Sequence, residues 1–172
     1  MNKFKIIIVY IVVLAAFVGI GFWLFKSSEK GKDPQNLPGQ TFENQGQKHI
    51  NEGSTDHIVY NSNPPTSGDH WPAAAAWGVY DTPQPDERLV HNLEHGGIWI
   101  SYKPDKVDQA TIDQLKDFAK RYQLIIVEPR PADEAAISLA AWTHLENLDH
   151  YDEHAILEFI NAYYNQGPEK VM

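Results

Sequence analysis

The chain has 172 residues, with 14 Lys plus Arg against 23 Asp plus Glu, eight His and no Cys. The acidic balance speaks against a nucleic-acid partner, whose phosphates select basic surfaces. The lack of cysteine removes disulfides and thiolate metal sites together, leaving histidine, carboxylate and methionine as the available metal donors.

Residues 6–25, IIIVYIVVLAAFVGIGFWLF, run without a charge between Lys5 and Lys26. A helix of that length covers ~30 Å, the thickness of the hydrocarbon layer of a bilayer. KSSEKGKD (26–33) follows with no small-residue cleavage pattern, so residues 1–26 are expected to form an uncleaved transmembrane anchor. Trp23 and Phe25 suit the aromatic belt at the outer interface. Lys3 and Lys5 precede the span, and Lys26, Lys30 and Lys32 follow it, so lysines alone do not orient it. Beyond residue 26 the chain carries 11 Lys plus Arg against 23 Asp plus Glu. Such a body gains nothing beside anionic cytoplasmic lipid and is expected outside the cytoplasm, tethered to the cell membrane by a single pass.

Residues 27–48 hold too few apolar side chains to bury themselves and read as a flexible stalk. Residues 49–172 then make one extracytoplasmic domain. Its first half, to about residue 90, is rich in turn formers, above all NSNPPTSGDHWP (61–72) and DTPQPDE (81–87), and is expected to be loops shaped by proline. The second half is regular. GIWISY (97–102) alternates as a strand, 107–123 places Ile112, Leu115, Phe118, Ala119 and Tyr122 at helical spacing, and LIIVEP (124–129) reads as a buried strand. Strand, helix and strand predict a parallel crossover. AISLAAWTH (136–144) is expected to be a further strand, antiparallel to 124–129 across the PRPADE turn. A closing helix is predicted over 152–167, capped by Asp152 and ended by Gly167. The fold class expected is α+β, with helices packed on a small mixed sheet behind the N-terminal transmembrane helix.

The chemistry concentrates in HNLEHGG (91–97). In one turn of helix, side chains three and four positions apart share a face, so His91, Glu94 and His95 converge. Neutral imidazoles bind copper or zinc, and a carboxylate ligates or serves as a base beside the ion. The same letters spell H-x-x-E-H, in which the histidines hold zinc and Glu94 activates water, although Gly96 and Gly97 cut the helix short. His70, at the end of the proline-rich loop, is the candidate third imidazole. His49 and His57 are weaker candidates, as lone loop histidines usually have no partner. His144, His150 and His154 form a second group that reads as a solvated helix start. Ser67 reads as a turn serine and not a nucleophile, and Trp71, Trp77, Tyr80 and Trp99 as core or as the wall of a site.

The segments YNSNPPTSGDHW (60–71), WGVY (77–80), LVHNLEHGGIWISYKP (89–104) and GPE (167–169) resemble a family of membrane-anchored prokaryotic proteins classed as a domain of unknown function. The resemblance spans about residues 55–169. It implies a short anchor and an outward domain, assigns no activity, and makes Pro64, Pro65, Thr66, Gly68, His70, His91, Asn92, Glu94, His95 and Gly96 the residues that match the family's motifs. The expected function is therefore a membrane-anchored domain that binds copper or zinc through His70, His91 and His95, with Glu94 as fourth ligand or supporting partner. The protein partner is unknown. Two alternatives are a zinc-dependent hydrolase, with Glu94 as base and Glu169 as a distant ligand, and a metal-free interaction module.

Overall fold

Two apolar stretches lie side by side and parallel, with Ile98 opposite Ile125 and Tyr102 opposite Pro129. The helix between them supplies the crossover that parallel pairing requires, as the sequence predicts. The computed structural model describes residues 37–170, so the predicted anchor over 1–26 and the first part of the stalk lie outside the described residues. In chain order the elements are β1 (Gln40–Thr41), β2 (Gly78–Val79), α1 (Asp86–Glu94), β3 (Ile98–Tyr102), α2 (Gln109–Arg121), β4 (Ile125–Pro129), β5 (Ile137–Ala141), β6 (His144–Leu148) and α3 (Glu153–Tyr163). They make an α+β domain around one mixed sheet in the order β1-β6-β5-β3-β4-β2. Among the described residues no helix is long and apolar enough to cross a membrane.

The three central strands are buried on both faces, which explains why their sequences carry apolar residues at successive positions. On one face Ile98, Ile100, Ile125, Val127 and Leu139 meet Leu115 and Phe118 of α2 and Ile156, Phe159 and Ile160 of α3. On the other, Trp99, Ile126 and Ala140 meet Leu89, Val90 and Leu93 of α1. Helix α1 is the unusual element. Its apolar stripe lies on the sheet, yet Glu87, His91 and Glu94 on its opposite stripe are buried too, under the loops that precede it.

Several expectations are corrected. The strand in 136–144 pairs antiparallel with β3, Tyr102 opposite Ile137, and not with 124–129. The reason is the connection: Asp133 accepts from Ser101 Oγ at 2.6 Å and from Arg130 Nη1 at 2.6 Å, which carries the chain across β3. Lys103 N then donates to Ala136 O at 2.9 Å and starts the new ladder. The same stretch does not run unbroken, because Thr143 turns with a φ of 64° and the chain returns as β6. The last helix stops at Tyr163, well before Gly167, while Asp152 caps its start as expected by accepting from His154 N and Ala155 N. The loop-rich first half contains β2 and the first turn of α1. Residues 38–48, assigned to the stalk on composition, belong to the compact unit that starts at Pro38, where Gln40 and Thr41 pair with Leu145 and His144.

Phe118 and Phe159 are both fully buried, so replacing either with Ala is expected to cost about 3–5 kcal/mol. Lys120 is exposed and makes only a surface pair with Asp117, and Lys120→Ala is expected to stay within about 0.5 kcal/mol. Urea unfolding of the full-length protein distinguishes them, and equal small effects for all three would contradict this packing.

Candidate metal centre

The covered stripe of α1 gathers side chains from three stretches of chain. The loop at 46–50 is clipped to the end of the proline-rich loop by backbone bonds: Gly68 N donates to Gly46 O at 3.0 Å, His70 N to Lys48 O at 3.0 Å and Ile50 N to His70 O at 2.8 Å. This short parallel bridge puts His49 beside His70. Trp71 N donates to Glu87 O at 3.1 Å and lays both loops on α1. Asn92 fixes the next segment through paired bonds with Ala75, at 2.9 and 3.0 Å.

Donor atoms of His49, His70, His91 and Glu94 all lie within 4.8 Å of one another. His70 is fully buried, the Glu94 side chain is 3% exposed, and that of His49 is 48% exposed. The two inner imidazoles are held alike. His70 Nδ1 lies 2.8 Å from Gly68 O and His91 Nδ1 2.7 Å from Trp71 O. A carbonyl oxygen only accepts, so each Nδ1 carries a proton, and in the neutral ring Nε2 holds the lone pair. Backbone support of this kind is what fixes the tautomer and orientation of metal-binding histidines. His70 Nε2 then faces Glu94 Oε2 at 3.1 Å. At that distance the two atoms share a positive centre, which is either a proton on Nε2 or a bound cation. Gln47 Nε2 donates to the other oxygen, Glu94 Oε1, at 2.7 Å.

His49 Nε2 is 3.8 Å from Glu94 Oε2, and the His49 ring stacks on that of His91, with centroids 5.2 Å apart and planes at 10°. Burial lowers the pKa of His91, helped by the neighbouring His70 and His95, against the opposing pull of Trp71 O and Glu94. His91 is thereby kept neutral, as a ligand must be. Donors bound at 2.0–2.2 Å to one tetrahedral ion stand ~3.3–3.6 Å apart, so side-chain rotations would have to draw this group together around an ion.

The structure thus brings together His70, His91 and Glu94 of the predicted set and adds His49. His95 stands one step outside, its Nε2 2.9 Å from His91 Nε2. His57 lies apart, 3.5 Å from Glu87 Oε1 and stacked on Tyr60. His144 stacks on Tyr163, and His154 is an exposed partner of Glu158. Ser67 Oγ accepts from Gln45 N at 3.0 Å, a structural tie between the two loops.

Residues 51–172 match the model of the family described as Protein of unknown function (DUF3105). The chain belongs to that family. Comparison with curated proteins and with solved structures gives no match. The matched stretch takes in His70, His91, Glu94 and His95 but starts beyond Gln47 and His49.

A separate buried carboxylate lies beneath the other end of α1. Glu128 is fully buried on β4; Gln84 N donates to its Oε2 at 2.7 Å, while Oε1 has no hydrogen-bond partner among the described residues. Desolvation raises its pKa from 4.5 to about 8, with the negative charge of Asp86 adding to the effect and the Gln84 bond and Arg130 opposing it. Between those values the folded state holds a proton that the unfolded chain has released. Its contribution to stability is therefore fully present below pH 4.5 and is lost as pH rises towards about 8, by at most about 1.4 kcal/mol per pH unit. Glu128→Gln is expected to remove this slope, so that its stability relative to the wild type improves steadily from pH 5 to pH 8. Urea titrations of both proteins in chelator at several pH values measure it, and a difference independent of pH would contradict the assignment.

Proposed function

We propose that this domain is a histidine-based metal-binding module for copper or zinc, carried outside the cytoplasm on a single-pass membrane anchor. The observation that carries the reading is the gathering of donor atoms of His49, His70, His91 and Glu94 within 4.8 Å of one another, with Nδ1 of both inner imidazoles committed to a backbone carbonyl. Three imidazoles and a carboxylate, with no thiolate, suit copper(II) or zinc, between which availability decides. The uncharged run over 6–25 and the acidic body support the anchor and the outward placement. The hydrolase reading is less well supported. A general base needs an oxygen free to reach water, and the two Glu94 oxygens face Gln47 and His70 in a nearly sealed position.

Elemental analysis and calorimetry of the full-length protein test the site. One equivalent of copper or zinc is expected, together with a gain in thermal stability that a strong chelator reverses, worth about 2.7 kcal/mol at a free-ion concentration 100 times Kd. His70→Ala and His91→Ala should abolish tight binding, because an incomplete set of protein ligands remains. Glu94→Gln should weaken it by ~10–100-fold if the carboxylate supports the ligands without binding the ion itself, whereas His144→Ala and His154→Ala should leave it intact. No stoichiometric uptake by the wild type would mean that the histidines are structural. For the anchor, carbonate extraction should leave the full-length chain in the membrane fraction, and its release into the supernatant would refute that part.

A further inference from the structure

We propose that His95 and Glu169 form an exchange site through which a transition-metal cation is passed to and from His91. The proposal rests on the metal-binding reading of the inner cluster and assigns it a route to solvent. His91 Nδ1 is bound to Trp71 O, so its Nε2 accepts from His95 Nε2 across the 2.9 Å contact. That fixes the other nitrogen of His95, Nδ1, as a lone pair. This atom is buried and has no hydrogen-bond partner among the described residues. It faces Glu169 Oε2 at 3.9 Å, too far for a hydrogen bond and a few tenths of an ångström beyond the ~3.3–3.6 Å between two donors of one tetrahedral ion, a gap that a small turn of the exposed Glu169 side chain closes. The His95 side chain is 17% exposed and that of Glu169 60%, so the pair leads from solvent to the buried His91 side of the cluster.

The placement is built into the chain. Gly96 turns away from α1 with a φ of 79°, and the segment after α3 docks on this turn: Asn165 N donates to Gly96 O at 2.8 Å and Glu169 N to Glu94 O at 3.1 Å. Gly167 allows the approach, since a Cβ there would overlap the Glu94 carbonyl oxygen. A bare cation does not cross a low-dielectric interior unaided, so each ligand must be replaced as it is lost. An ion held by His95 Nδ1 and Glu169 reaches His91 when the His95 side chain swings about both its Cα–Cβ and Cβ–Cγ bonds. The bond to Glu169 breaks as the bond to His91 Nε2 forms, and the turning ring has already withdrawn its N–H from that lone pair. No proton is gained or lost.

Stopped-flow measurement on the full-length protein, with Zn2+ or Cu2+ alone and a competing chromophoric chelator, gives association and dissociation rates separately. In His95→Ala and Glu169→Gln both rates should fall about tenfold, a barrier increase of about 1.4 kcal/mol, while Kd, their ratio, is unchanged. Glu169 is on the surface, so its variant keeps the fold. Wild-type rates in both variants would overturn the exchange role. A weakened Kd in His95→Ala would overturn it too, by making His95 a resident ligand. Absence of any binding by the wild type would instead refute the inner cluster as a metal site, and the exchange route with it.

Discussion

Glu94 ends a helix with a carboxylate that is almost wholly withdrawn from water. Both circumstances oppose its charge. The C-terminal end of a helix carries a partial negative charge, and a buried carboxylate is several kcal/mol less favourable than a solvated one unless donors or cations replace its water. Donors must therefore be brought to it, and the first third of the described chain does so. Gln47, His49 and His70 all come from segments without regular structure of their own, and all point at this one group. The loops have a fixed path because a charge in need of partners lies beneath them.

That path is held from the far end as well. Arg130 binds Asp86 through Nε and Nη2, at 3.0 and 2.7 Å, and reaches Asn63 Oδ1 and Asp133 Oδ1 with Nη1, each at 2.6 Å. One guanidinium thus joins the start of α1, the proline-rich loop and the connection that carries β4 to β5. A planar fork of five donors suits such a junction better than an ammonium would. Asn63 also donates to Ala132 O at 3.0 Å. With Arg130 fixing one end of α1 and the clip between 46–50 and 68–70 fixing the other, the imidazoles have little freedom left in where they sit. This positioning is what a ligand set held by loops requires.

The parts of this arrangement legible in the sequence are those governed by local periodicity. Helix α2, strands β3 and β4, and the helical placing of His91 beside Glu94 follow from spacing alone, and their burial agrees. His49 is only weakly legible as a member of the cluster. It is a lone histidine in a polar stretch, and what recruits it is a two-residue bridge to a segment 21 positions away, formed by backbone atoms that leave no mark on side-chain pattern. His95 was over-read for the complementary reason. Its spacing from His91 does bring the two rings together, but the helix ends at Glu94 and the chain turns at Gly96, leaving His95 at the rim. The pairing of β5 was missed because it depends on Asp133 finding Ser101, a contact between buried polar groups that no alternation pattern encodes.

A metal-free account of the cluster has to explain why polar groups are kept there. Buried ionic groups can often be exchanged for apolar ones of similar volume without loss of stability, and α1 already has an apolar stripe with a sheet to cover. An apolar second stripe would have held the loops by the hydrophobic effect alone. Instead that side carries two imidazoles, each with Nδ1 on a backbone carbonyl, and a carboxylate that faces one of them. Their polar atoms find partners in one another and in Gln47, and a bound cation would add to what holds the loops. On the metal-binding reading proposed above, the loops that close the site would be the part of the domain whose order depends most on an ion. The sheet and its two flanking helices, buried on their own apolar faces, do not depend on it.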